Sequence, residues 1–419
     1  MSRAGSAALT AVALCLFLGS WALLHHGRFA RGQIRDTPLY AVYGDVIARG
    51  WVPYRDVRLV YPPGALPAFV LPALGHAGDQ AAYDRWFDRL MALCGCGVIA
   101  GSALSLRALG AGPSRTIAAL ALIGLSPLLL GSVVLSRFDF WPALLVAFAL
   151  AALLWQRLAL AALGLGLAIA AKLWPVVLAP LAFVWIWRTR GPRAAAAWAT
   201  GLVAVDAACF LPFAILSPDG LRASFHAQLA RPLQIESLGA SLLIAAHHLV
   251  GTTVHVTTSF GSQNLTGPGT QAAEALTIAL GFTAVVATWL LYARGPATPQ
   301  RLVAHTAAAV ALLVAFGKVL SPQFLIWLLP LVPLVRGVRG LVAGALLAAA
   351  LLLTHEWFPR HYWSLARGLD ARESWLLLAR DLLVVALAAV LAWPRLEHEP
   401  LGEGRARLEA LQRVRAQVE

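Results

Sequence analysis

Lysine is almost missing from this sequence: of its 33 Lys+Arg residues only Lys172 and Lys318 are lysines. Arginine carries the positive charge everywhere else, so the two exceptions hint at a need for a compact ammonium where they stand. Cysteine is scarce as well. All four (Cys15, Cys94, Cys96 and Cys209) lie inside apolar runs, which gives no disulfide framework and leaves them as small packing residues. The spacing of a zinc-peptidase motif is lacking, because His355-Glu356 is followed by His361 rather than by a histidine at the HExxH position. No internal repeat is evident, inverted or parallel, and many secondary transporters have one.

What the chain has in abundance is apolar residue, 59% of the total with a mean hydropathy of +0.73. Soluble domains hold roughly 45–50%, and apolar runs close to the ~20 residues that cross hydrocarbon recur along the whole length. A soluble fold has no interior large enough for them, so the expected class is an all-α polytopic membrane protein. The first run, Ala7 to Leu24, follows a single arginine and resembles a secretory signal. His25, His26 and Arg28 follow it in place of a small-residue cleavage site, which favours an uncleaved anchor. The net charge of +13 comes from arginines at the ends of apolar runs. It reads as membrane topology, with positive loops on the cytoplasmic side, and not as nucleic-acid binding.

Fixing Arg188-Thr-Arg190-Gly-Pro-Arg193 as cytoplasmic gives about twelve spans, near 7–26, 89–107, 116–135, 140–156, 157–171, 173–187, 194–214, 271–293, 302–317, 323–335, 340–354 and 375–393. Arg107, Arg115, Arg157, Arg294, Arg301, Arg336 and Arg339 then share that side. The other side receives a long first loop (27–88), Ser136–Asp139, Lys172, a second large loop (215–270), 318–323 and 355–374. This makes 1–393 one transmembrane domain, followed by a charged tail over 394–419 expected on the cytoplasmic surface. The assignment requires 62–76 to be re-entrant or interfacial and 237–250 to lie along the outer surface. It also runs against Arg28, Arg31 and Arg35, which taken alone favour the reverse orientation, although long loops obey the charge rule weakly.

The unusual polar residues therefore gather on one face. The first loop reads Arg35-Asp36-Thr-Pro-Leu-Tyr40, then Tyr43-Gly-Asp45, Gly50-Trp-Val-Pro-Tyr54-Arg-Asp56 and Tyr61-Pro62-Pro63. Later come Ser136-Arg-Phe-Asp139, Ala171-Lys172-Leu-Trp-Pro175, Arg231-Pro-Leu-Gln234-Ile-Glu236-Ser237 and Lys318-Val-Leu-Ser321-Pro-Gln323-Phe-Leu-Ile-Trp327. In order and in membrane placement, over roughly residues 30–330, these segments resemble the family 87 glycosyltransferases. Those are polyprenyl-phosphate-mannose-dependent mannosyltransferases of the GT-C superfamily.

The resemblance implies a GT-C-like fold, a long first outer loop bearing re-entrant helices, a catalytic Asp just past the first span, and a lipid-phosphate sugar donor. By position the catalytic residue is Asp36. Transfer from a lipid phosphate to a hydroxyl needs one base for the acceptor's proton, and an aspartate with an ordinary pKa near 3.9 is already ionised. Phosphate leaves without protonation, so cations must hold it instead; Lys172, Arg231 and Lys318 are the candidates. Tyr40, Arg137, Asp139, Gln234, Glu236 and Gln323 are candidate substrate contacts.

Each has a plainer reading: Asp36 as a partner of Arg35, Arg137 and Asp139 as a paired turn, the lysines as snorkelling residues, Gln234 and Glu236 as loop fixtures. Tyr40, Tyr43, Tyr54 and Trp51 could stack on a sugar or form an interfacial belt. Asp45 and Asp56 are the rival carboxylates and read as structural. No cofactor is implied, and GT-C enzymes differ in whether a divalent ion assists. The expected partners are a polyprenyl-phosphate sugar donor, a glycolipid or cell-envelope glycan acceptor and membrane lipids, in the plasma (inner) membrane with the site on the non-cytoplasmic face. A transporter or flippase of a lipid-linked substrate is the rival from another class. It favours repeats and charges near the bilayer midplane.

Overall fold

A computed structural model describes residues 2–30 and 32–393; the tail anticipated over 394–419 lies outside the described residues. The helices in chain order are α1 (Arg3–Leu23), α2 (Thr37–Ala48), α3 (Leu66–Val70), α4 (Gln80–Ala108), α5 (Pro113–Leu130), α6 (Phe140–Leu154), α7 (Leu158–Ala171) and α8 (Ala179–Arg190). They continue as α9 (Pro192–Leu216), α10 (Pro218–Leu229), α11 (Leu238–Val250), α12 (Thr270–Arg294), α13 (Pro299–Ala315), α14 (Gly337–Trp357), α15 (Tyr362–Gly368) and α16 (Ala371–Ala392). The fold is an all-α polytopic one with a small addition. Between α11 and α12 lies an antiparallel hairpin, β1 (His255–Ser259) and β2 (Ser262–Thr266), that the hydrophobic pattern did not announce.

Among the described residues, seven helices are long and apolar enough to cross a membrane by length and composition: α1, α4, α5 with its continuation to Leu135, α9, α12, α14 and α16. The remaining anticipated spans are shorter. Over 322–334 the chain is wound as two 3₁₀ pieces, Pro322–Leu328 and Val332–Leu334. At about 2 Å per residue, tighter winding makes a short segment reach further than an α-helix would. Its side chains from Leu325 to Val335 are buried among the other helices, which is where irregular backbone can exist at membrane depth.

Packing runs α1 on α5, α4 on α6, α6 on α7, α7 on α9, and α16 against both α13 and α14. Small residues let these helices approach closely, as is usual where lipid supplies no hydrophobic drive. Leu, Val, Phe and Trp side chains on the outer faces are left exposed, among them Val203, Ile215, Phe282 and Leu341. This is the surface a bilayer would cover.

The polar turns segregate to two ends. At one end Arg115 donates to the Leu334 carbonyl, Arg188 to Ala293 O at 3.2 Å, and Arg190 Nε to Gln156 Oε1 at 2.8 Å. There Gly191, at φ +87°, ends α8 in a conformation open to glycine, and Pro192 begins α9 at once. At the other end lie the first loop, the α5–α6 and α7–α8 turns, the loop 230–237 and the segment 318–323.

Candidate active site

The first loop builds one wall. Asp36 stands at the start of α2, where Pro38 suits the first helical turn, and its side chain makes no capping bond to the helix. The carboxylate is left for tertiary partners. It pairs with the buried Arg137 guanidinium, and Tyr40, one helical turn on, donates its hydroxyl to Asp36 Oδ2 at 3.3 Å. About a third of the Asp36 side chain is exposed (32%), whereas Arg137 is nearly enclosed (7%).

The tyrosine rings do something other than stack on a ligand. Tyr40, Tyr43 and Tyr54 are all buried, and Tyr40 stacks on Phe69 at 4.5 Å within a cluster that includes Tyr61 and Phe138. Of these three, Tyr40 is the one whose hydroxyl bonds Asp36, and the Tyr61 hydroxyl lies beside it at 3.5 Å. Trp51, by contrast, is half exposed. Asp45 and Asp56 are absorbed locally, accepting bonds from the backbone N–H groups of Gly78 (2.7 Å) and Val52 (2.8 Å).

Asp139 and Lys172 form the floor. Lys172 Nζ lies 2.6 Å from Asp139 Oδ1, and Trp327 Nε1 donates to the same oxygen at 2.6 Å. Three aromatic rings surround the ammonium, Phe138 at 4.9 Å and Phe324 and Trp327 at 5.1 Å. Such a cage stabilises a cation that burial would otherwise penalise. The Pro62-Pro63-Gly64 turn closes over the end of α7 just before Lys172. A Cβ on Gly64 would lie 2.5 Å from the backbone of Ala170 and Ala171, and Trp141 Nε1 bonds Gly64 O at 3.0 Å.

The loop 230–237 makes the third wall, and the unforeseen hairpin holds it. Ile235 N donates to Gln263 O at 3.1 Å and Leu265 N to Leu233 O at 2.8 Å, so the loop adds to the β2 edge. Gln234 N bonds Lys318 O at 2.9 Å, and the Gln234 amide bonds both Glu236 and Ser321 Oγ. Asn264 is fully buried and bonded to Ser259 and Ser262, so its side chain serves the hairpin turn.

Electrostatics tie the walls together. Lys172 lies within electrostatic reach of Arg137 and Arg231, and Glu236 within reach of Arg380, Arg137 and Arg231. Burial pushes the pKa of Arg137, Lys172 and Arg231 down, and the facing acids Asp139 and Glu236 oppose it. Burial raises the Glu236 carboxyl to about 7 despite the three nearby guanidiniums. Asp139 Oδ2, Arg137 Nε, Arg231 Nε, Glu236 Oε1 and Gln323 Oε1 are all buried with no hydrogen-bond partner among the described residues. Buried polar atoms normally find one, and here the set contains donors and acceptors alike.

The structure thus brings together Asp36, Tyr40, Arg137, Asp139, Lys172, Arg231, Gln234 and Glu236, with Gln323 beside them on the Trp327 segment. The Lys318 ammonium is engaged elsewhere, 2.9 Å from Glu274 Oε1 and 2.8 Å from Leu229 O. It is a tie between α12 and the end of α10, and its backbone carbonyl is what serves the site. Arg380 escaped sequence reasoning, which found little in the last 80 residues beyond spans. It is fully buried, paired with Asp381 at 2.8 Å, and donates to Glu236 O at 2.8 Å. Two adjacent charges inside the apolar run 375–393 were the available signal, since charges at that depth are costly.

The family model described as glycosyltransferase family 87 matches residues 59–322. That stretch covers most of the constellation and leaves Asp36, Tyr40 and Gln323 outside it. No curated protein matches the sequence. Among solved structures, the chain is similar to ArnT from Cupriavidus metallidurans, crystallised bound to undecaprenyl phosphate, with a TM-score of 0.49 and 16% identity over 93% of this chain and 77% of that one.

Proposed function

Because the chain belongs to glycosyltransferase family 87, we propose that this membrane glycosyltransferase moves a hexose, mannose in our reading, from a polyprenyl phosphate to a hydroxyl of a glycolipid or cell-envelope glycan. The single observation that carries the reading is one part-exposed carboxylate, Asp36, paired with the buried Arg137, with the part-buried Lys172 close both to that arginine and to the part-buried Arg231. Arg137, Lys172 and Arg231 match a leaving phosphate and its growing charge, and their burial strengthens that match by excluding water. Arg137 also orients Asp36, and Tyr40 holds the second carboxylate oxygen.

In the step so arranged, the acceptor oxygen attacks the anomeric carbon from the side opposite the phosphate. Its proton passes to Asp36 as the new C–O bond forms. The bond from the anomeric carbon to the phosphate oxygen breaks with its electron pair going to phosphate. A single displacement inverts the anomeric centre. Only one carboxylate is needed, unlike glycoside hydrolysis, where an acid must protonate a poorer leaving group. Asp139 is committed to Lys172 and Trp327 and serves as their positioning residue. The orientation drawn from the arginines puts this chemistry on the non-cytoplasmic face of the plasma (inner) membrane.

The test is transfer from radiolabelled polyprenyl-phosphate-mannose in proteoliposomes. Asp36→Asn keeps shape and hydrogen-bonding capacity but removes the base, and transfer should fall by about 10²–10⁴-fold with donor binding retained. Near wild-type transfer by that variant would remove Asp36 from the mechanism.

A further inference from the structure

One large cavity lies far from this chemistry. It measures about 760 Å³ and lies between the first turns of α5 and α14, lined by Arg115, Ala118, Leu122, Arg336, Leu341 and Gly344 among others. Both helices run from it toward the active site. The α5 segment Pro113–Leu135 is 23 residues long, which at 1.5 Å per residue is about 35 Å, and Arg137 follows at its end. The cavity and the active site are therefore at opposite ends of the same spans, one hydrocarbon thickness apart.

Its chemistry is that of an amphiphile's mould. Ala118, Leu122, Leu341 and Gly344 form an apolar wall, and Ala118 and Leu341 are exposed on the lipid-facing surface. The groove thus opens sideways toward acyl chains. At its polar end Arg115 and Arg336 are close enough to repel each other. Arg115 gives one guanidinium nitrogen to the Leu334 carbonyl, while its Nε is buried without a partner among the described residues. Two guanidiniums held near each other at the mouth of an apolar groove form a site for a shared anion, and a fork of N–H donors suits phosphate.

We propose that this groove binds one anionic phospholipid, with the headgroup phosphate between Arg115 and Arg336 and an acyl chain along the α5–α14 wall. Glycine keeps the wall open. A Cβ on Gly344 would meet nothing nearer than Leu122 Cδ2 at 3.6 Å, so a larger side chain there can grow into the groove without moving backbone.

The experiment is native mass spectrometry of the full chain released from detergent, titrated with phosphatidylglycerol or phosphatidylcholine, with a melting curve of each variant as a folding control. Wild type should retain one phosphatidylglycerol in preference to phosphatidylcholine. Arg336→Gln and Gly344→Phe should each weaken that retention about tenfold, which corresponds to about 1.4 kcal/mol, with melting curves of normal cooperativity. Arg231→Gln, at the opposite end, should retain the lipid as wild type does. Equal retention of phosphatidylcholine, or undiminished retention by Gly344→Phe, would overturn the proposal. So would an equal melting shift from inorganic phosphate alone, which would make the groove a site for the free anion. Loss of retention in Arg231→Gln but not in Arg336→Gln would assign the lipid to the active site instead.

Discussion

Asp36 and Asp139 are both aspartates at the same end of the molecule, and their surroundings give them opposite work. Asp139 is 1% exposed and satisfied on one oxygen by Lys172 and Trp327. Removing the lysine leaves a buried carboxylate without its counter-charge, and breaking such a pair costs about 3–5 kcal/mol. Lys172→Met should therefore lower the thermal midpoint in detergent by that equivalent, and adding Asp139→Asn should recover more than half of it. An additive double variant would mean the two groups are energetically independent.

Glu236 predicts a pH dependence. Its carboxyl rises from 4.5 to about 7, chiefly through burial. Below the unfolded value both states hold the proton, and the contribution to stability is fully present. Between the two values only the folded state holds it, so stability falls as pH rises and the contribution is lost above about 7. Melting midpoints measured from pH 5 to pH 8 should fall less steeply for Glu236→Gln than for wild type. A wild-type curve parallel to that of the variant would show that Glu236 does not titrate in this window.

Among the elements, the Pro62-Pro63-Gly64 turn is the one on which site geometry depends most directly. It rests against the last peptide of α7 with no room for a Cβ, so Gly64→Ala must push the turn and the Lys172 junction apart. Overpacking of this kind costs about 1–3 kcal/mol, and donor turnover should fall together with the melting midpoint. Gly19→Ala, where nothing lies within 4 Å of the added carbon, is the matched control and should be neutral or slightly stabilising. The hairpin matters in the same way. By adding the 233–235 strand to its edge it fixes Gln234 and Glu236, which a loop of Thr, Ser and Gly could not do alone.

At the scale of the whole molecule, the separation of arginine-rich turns from the acidic and aromatic loops makes orientation measurable. In a cysteine-free background, Asp219→Cys at the start of α10 should react with a membrane-impermeant maleimide on intact cells. Arg190→Cys at the end of α8 should react only after permeabilisation. The reverse pattern would place the site on the cytoplasmic face and reject the orientation drawn from positive loops. The same separation places the two arginine clusters, Arg137 with Arg231 and Arg115 with Arg336, at opposite ends of the helices.

Hydrophobic run length, the placement of arginine and a few short motifs were enough by themselves to determine that the chain crosses a membrane many times and that its unusual polar residues share one end. These are properties of local sequence, because transfer into hydrocarbon is decided segment by segment. Which of those residues meet was decided only by tertiary structure. Lys172 and Lys318 look alike in sequence, at the junctions of apolar runs, yet one enters an aromatic cage over Asp139 and the other is tied to Glu274. Arg380 reads as a blemish in a span until packing brings it to the Glu236 carbonyl. Partners far apart along the chain leave no periodic trace, since nothing in local sequence encodes which helix a side chain will face.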